Sequence, residues 1–126
     1  MQEVAADGVR VLVVDDQEPF RRAMAAVVDA TEGFVLVGAV TSGEESIEAA
    51  AELRPALVLM DVNLPGIDGV EASRRLRSRA DGPVVVLLST YDEDRFDLAG
   101  SGAAAYIAKA VFGPDRLVEA WSSATA

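Results

Sequence analysis

Ala56-Leu57-Val58-Leu59-Met60-Asp61-Val62-Asn63-Leu64-Pro65-Gly66-Ile67-Asp68-Gly69 is the stretch that decides the fold of this chain. Its first five residues are continuously apolar, as expected of a strand buried on both faces of a parallel sheet. Asp61 ends that run abruptly. Pro65-Gly66 forms a tight turn in which Gly66 supplies a positive φ. Asp68 opens a helix, with Glu71 three residues on and Leu76 on its core face.

The same alternation extends outward in both directions. Toward the N-terminus, Pro55 breaks a helix that starts with the capping box Ser42-Gly43-Glu44-Glu45 and buries a stripe of Ile47, Ala50 and Ala51. Gly33 precedes an apolar run, Phe34 to Val37. Before that, Pro19 sits in the first turn of a helix whose apolar face is Phe20, Met24, Val27 and Val28. The β-branched run Val9 to Val14 stops at Asp15-Asp16. Toward the C-terminus, Val84 to Leu88 is a fourth strand. Asp92 to Ala99 is a short helical segment that dissolves into Gly100-Ser101-Gly102, because glycine is a poor helix former. Ala103 to Ile107 is a weaker fifth strand, and Pro114 to Trp121 a last helix. Five β-α units in series predict an α/β fold with a parallel sheet and helices on both faces. Residues 9–121 form one domain, with 1–8 as an N-terminal tail and 122–126 as a C-terminal tail.

Composition removes whole classes of chemistry. The 126 residues include no cysteine and no histidine. Disulfides, thiol nucleophiles, histidine bases and Cys/His zinc sites are therefore excluded. Twenty-one acidic residues against eleven basic ones leave a formal charge of −10. Such a chain is repelled by phosphate backbones and anionic lipid, so no nucleic-acid binding by this domain is expected. No apolar run approaches the ~20 residues of a membrane span. The first eight residues lack the basic and apolar regions of a signal peptide, and a cytoplasmic location is expected.

The polar residues that matter collect at one end of the strands. Asp15 and Asp16 follow the first, Asp61 the third, Ser89 and Thr90 the fourth, and Lys109 the fifth. In open parallel sheets ligands bind beyond these carboxyl ends, near the point where strand order reverses. Such folds commonly set strands 1 and 3 side by side, which would bring Asp15 and Asp16 to Asp61. Three carboxylates packed together repel one another and need a cation or a proton to coexist. An oxygen-only site suits Mg²⁺. Lys109 is the only lysine among the eleven basic residues, and it follows a run of small and apolar side chains.

The acidic pair, the Asp61-to-Gly69 loop, the hydroxyl after strand 4 and the lysine after strand 5 together resemble the receiver domains of bacterial two-component response regulators. The resemblance covers about residues 9–121. It implies a doubly wound, flavodoxin-like (βα)5 sheet of strand order 2-1-3-4-5. It implies a phosphorelay signalling switch rather than an enzyme, with Asp61 as the phosphoacceptor for a sensor histidine kinase or phosphotransfer protein. Mg²⁺ would be held by Asp16, Asp61 and the backbone carbonyl of Asn63, and through water by Asp15. Lys109 and Ser89 would contact the phosphoryl oxygens, and Ser89 and Tyr106 would form the switch. Asn63, Thr90 and Tyr91 would flank the site and tune the lifetime of the acyl phosphate.

Two features depart from the receiver pattern. Ala110 follows Lys109 where proline is common, so the geometry of that loop must come from elsewhere. The segment from Asp92 to Gly102 is expected to be short or irregular. Other functions on this fold fit less well. A receiver-like module that takes no phosphate would not need the full set of charged residues. An aspartyl-phosphate phosphatase would want a second acid at Asn63. An FMN site would meet repulsion from Asp15 and Asp16. Output is the least legible property. Thr90-Tyr91-Asp92 resembles receivers joined to helix-turn-helix output, yet no such domain follows, which favours a stand-alone receiver acting on an unknown partner. A phosphorylation-dependent homodimer is compatible with these features.

Overall fold

Parallel pairing of apolar strands organises the chain, and a computed structural model describes residues 8–90 and 98–126 of it. The elements in chain order are β1 (Val9–Val14), α1 (Glu18–Ala30), β2 (Phe34–Val40), α2 (Gly43–Leu53), β3 (Leu57–Asp61), α3 (Gly69–Arg77), β4 (Val84–Ser89), α4 (Leu98–Ser101), β5 (Ala105–Ala108) and α5 (Pro114–Thr125). The five strands are parallel and lie in the order β2-β1-β3-β4-β5. This is the doubly wound order that the receiver resemblance implied, with β1 and β3 adjacent as alternating β-α units commonly place them.

Side chains along the central strands alternate between two cores, as the two-residue period of a strand requires. Val11, Val13, Leu57, Leu59, Val86 and Leu88 point to the face covered by α1 and α5, where they meet Met24, Val28, Leu117 and Ala120. Leu12, Val14, Val58, Met60, Val85 and Leu87 point to the face covered by α2 and α3, where they meet Ala49, Ala72 and Leu76. Every residue of β3 is buried, so its continuously apolar sequence follows from being covered on both sides.

Helix starts follow local chemistry. Ser42 caps α2 by accepting from the Glu45 N–H, and Glu45 reaches back to the Thr41 N–H. Asp68 caps α3 by accepting from the Glu71 N–H at 2.8 Å. The cap at Ser42 sets the phase of α2, so its buried positions are Gly43, Ser46 and Ala49. Ile47 and Ala50 pack partly against the core, but Ala51, assigned to the buried stripe from sequence, is exposed. Phe20 likewise stands 36% exposed at the edge of α1 instead of entering the core.

Several boundaries differ from the sequence expectation, and β2 runs on to Val40, three residues past the expected end at Val37. β5 begins at Ala105, two residues later than expected. α5 continues to Thr125, through most of the stretch read as a tail, and Thr125 Oγ1 donates to the Trp121 carbonyl there. Trp121 packs partly buried against the α1/α5 core. The expected helix from Asp92 falls largely outside the described residues. What is described of it, α4, runs through Gly100 and Ser101 instead of dissolving there. Contacts from α3 offset the glycine: Ser73 Oγ donates to the Ser101 carbonyl at 2.8 Å and Arg74 Nε to the Gly100 carbonyl at 3.1 Å.

The loop after β3 is shaped by two glycines. Gly66 has φ 73°, the left-handed turn position expected from Pro65-Gly66. Gly69 lies against the backbone of β3, where an added Cβ would sit 2.1 Å from the Asp61 carbonyl oxygen. Its N–H donates to the Val62 carbonyl at 2.8 Å. Gly69→Ala is therefore expected to destabilise the protein by about 2–3 kcal/mol through backbone displacement. Urea unfolding measures this, and a midpoint unchanged from wild type would contradict the close approach.

Candidate functional site

Strand ends bring the charged residues together. Asp15 leaves β1 and is fully buried. Its Oδ1 accepts from the Gln17 N–H at 2.9 Å, and Arg21 donates to its carbonyl at 2.9 Å. These bonds tie the first turn of α1 to the end of β1. Asp16 points outward and is exposed. Asp61 ends β3 opposite Leu88 of β4 and is 3% exposed. Carboxylate oxygens of Asp15, Asp16 and Asp61 lie within 4.8 Å of one another.

Lys109 enters this group from the far side of the sheet. The residues after β5, Lys109–Val111, form a 3-10 turn, and no cis peptide occurs among the described residues. That turn supplies the geometry which the absence of a proline left open. The Lys109 Nζ lies 2.7 Å from Asp15 Oδ2 and 3.4 Å from Asp61 Oδ1. Asp15 Oδ2 is buried and makes no well-directed hydrogen bond, so its counter-charge is this ammonium. The lysine is thus closer to Asp15 than to Asp61. Its ammonium also lies 3.9 Å from the centre of the Phe20 ring.

A cavity of about 140 Å³ opens over Asp61, lined by Gln17, Asn63, Thr90 and Lys109. Asn63 and Thr90 are exposed at its edge, where the sequence placed residues that flank the site. Ser89 is buried at the end of β4, paired in register with Ala108. Tyr106 is half-buried and packs on the α2/α3 face. Tyr91 lies outside the described residues. A cavity of similar size, about 160 Å³, lies near the amino ends of β3 and β4 beside Arg54, Arg79 and Asp81, remote from the carboxylates.

Sequence reasoning missed three contributors. Gln17 walls the cavity, and Phe20 covers Lys109. Glu44 holds the loop after β3 by accepting from the Ile67 N–H at 3.2 Å. Gln17 and Phe20 follow the acidic pair within one helical turn, a proximity that signals a role. Glu44 carried no signal, because it reaches its partner across 23 residues.

A profile of the response regulator receiver domain matches residues 11–122. The chain belongs to the response regulator receiver family. Response regulator GacA of Pseudomonas aeruginosa is 42% identical over 115 residues, which cover 89% of this chain and 53% of that protein. The chain thus spans about half the length of the curated relatives it matches. Among solved structures, the signal receiver domain of NarL from Mycobacterium tuberculosis superposes with a TM-score of 0.81 at 28% identity, covering 93% of this chain and 95% of that one. The response regulator domain of Thermotoga maritima CheB gives 0.80 at 26% identity, covering 94% and 98%. No helix among the described residues of this receiver is long and apolar enough to cross a membrane.

The electrostatics of the receiver site are unusual for an aspartate. Burial pushes the Asp61 carboxyl up from 3.8 to about 6, and the neighbouring Asp15 charge pushes the same way. The Lys109 ammonium and the Asn63 N–H pull it back down. Between pH 4 and 6 the folded protein therefore holds this proton while the unfolded chain has lost it. Stability falls as pH rises across that window. In metal-free buffer, Asp61→Asn should flatten this slope and raise stability at pH 7 by on the order of 2 kcal/mol. Thermal melts from pH 4 to 8 measure it, and wild-type and variant profiles that run parallel would refute it.

Proposed function

We propose that this receiver is a phosphoacceptor signalling switch that takes a phosphoryl group onto Asp61 from a sensor histidine kinase or phosphotransfer protein. The observation that carries this reading is a buried acceptor carboxylate under an open cavity, with an ammonium 3.4 Å away and two further carboxylates beside it. An Asp61 oxygen would donate its electron pair to phosphorus as the P–N bond to the donor imidazole breaks. The imidazole leaves with that bond's electron pair. Phosphoryl transfer asks mainly for alignment and charge neutralisation.

The donor set fits Mg²⁺. It is built only of oxygens, and it gathers three carboxylates within 4.8 Å with a single ammonium to balance them. Asp16, Asp61 and the Asn63 carbonyl would hold the ion directly and Asp15 through water. Bound there, the ion supplies positive charge that lets the carboxylates coexist and neutralises the transferred group. The chain's own residues do the rest. Lys109 offers a compact point charge to the phosphoryl oxygens. Ser89 offers its hydroxyl and links the site to Tyr106 as a switch. Thr90, at the cavity edge, limits the approach of water and so lengthens the life of the acyl phosphate. Signal then passes by conformational change to an output partner or domain.

Incubation with acetyl phosphate and Mg²⁺, read by intact mass, should add one phosphoryl group to wild type and none to Asp61→Asn. Label that survives Asp61→Asn would overturn the assignment. Mg²⁺ should raise the melting temperature of wild type, and Asp16→Ala should abolish most of that rise. Thr90→Ala should shorten the half-life of the phosphorylated form, and an unchanged half-life removes Thr90 from the mechanism.

A further inference from the structure

Phe20 is an apolar ring that the fold leaves at the surface. It lies in the first turn of α1, five residues after Asp15, and is 36% exposed. Its position is not arbitrary. The Asp15 bonds to the Gln17 N–H and from Arg21 fix the direction in which α1 begins, and Phe20 lies within that bonded turn. From there its face meets the Lys109 ammonium at 3.9 Å from the ring centre. A small cavity of about 50 Å³ separates the two from Met24, Val27, Leu88 and Phe112, so the surroundings on that side are apolar.

Lys109 thus has three neighbours for one charge: a carboxylate at 2.7 Å, a second at 3.4 Å, and a ring face at 3.9 Å. The carboxylates attract it without fixing its direction, because a lysine head is a flexible point charge. The ring attracts it through its quadrupole and also excludes water from one side. The side chain of Lys109 is only 7% exposed, which such a cover explains.

We infer that Phe20 is a positioning residue for the phosphoacceptor reaction, holding the Lys109 ammonium by a cation–π contact so that it faces both Asp15 and Asp61. This inference rests on the phosphoacceptor reading of Asp61. The same step that carries Asp15 and Asp16 to the site carries the aromatic lid of the lysine. The acidic pair and the Lys109 charge opposite it are therefore coupled through one helical turn. Removing the ring frees Lys109 to sample solvent and lowers the fraction of molecules with the charge aimed at Asp61.

The test separates the ring's electrostatics from its bulk. Mono-, di- and trifluorinated phenylalanine at position 20 keep the shape and progressively weaken the quadrupole. The rate of labelling by acetyl phosphate in saturating Mg²⁺ should fall along that series by roughly 3- to 30-fold in total. Phe20→Leu should match the weakest member and Phe20→Tyr should restore the rate. Because Lys109 is the only lysine, isotopically labelled lysine yields a single ε-methylene NMR signal. Ring current should shift that signal in wild type and the shift should vanish in Phe20→Leu. Rates flat across the fluorinated series, with wild type labelled normally, would overturn the positioning role. An unshifted wild-type signal would overturn the contact itself. Failure of wild type to label at all would instead bring down the phosphoacceptor reading, and the role of Phe20 in it, whatever the lysine signal reports.

Discussion

Repulsion among carboxylates is the constraint around which this site is built. Asp15 and Asp61 are both removed from water at the carboxyl edge of the sheet, and Asp16 stands beside them with its oxygens within 4.8 Å of theirs. Water cannot screen the buried pair, so the charge balance must come from the protein or from a bound cation. Lys109 supplies the protein's share by lying between Asp15 and Asp61. One lysine does not balance three carboxylates. Burial first, and the Asp15 charge second, raise the Asp61 carboxyl to about 6 despite the lysine. Under the proposed function, a divalent cation supplies the positive charge that this site lacks.

Precision in this arrangement comes from the sheet, while the chemistry sits on the turns that leave it. β1, β3 and β4 are buried along most of their length and leave little room for movement. The turns are then bound down individually. Gly69 presses against the Asp61 backbone, Glu44 of α2 holds the Ile67 N–H, and Asp15 holds the first turn of α1. This division is general: loops carry function where a rigid scaffold aims them. It also explains why Phe20, a residue of helical character, takes part. The helix begins so close to the acidic pair that its first turn is still part of the site.

Much of the fold was legible because its determinants are local. The apolar run of β3, the caps at Ser42 and Asp68 and the turn at Pro65-Gly66 each declare themselves within a few residues. The misreadings share one cause, which is dependence on something distant. Ala51 belongs to an apolar run but lies on the outer side of α2, whose phase is set by its cap. Phe20 has the spacing of a core residue yet serves the surface, because the lysine of the turn after β5 lies over it. α4 persists through Gly100 because Ser73 and Arg74 of α3 bond to it from more than twenty residues away.

The sequence by itself determined which residue types stand at the strand ends: an oxygen-only acidic set, the hydroxyls of Ser89 and Thr90, and one lysine. Those are composition and periodicity, and they are written along the chain. Only the tertiary structure decided how the charges pair. Lys109 stands nearer Asp15 than Asp61, with Phe20 over its ammonium. Pairing depends on distances of a few ångströms between separate strands, and Coulomb and quadrupole terms change steeply over that range. No periodicity encodes such distances, because they are set when five strands and their helices pack against one another.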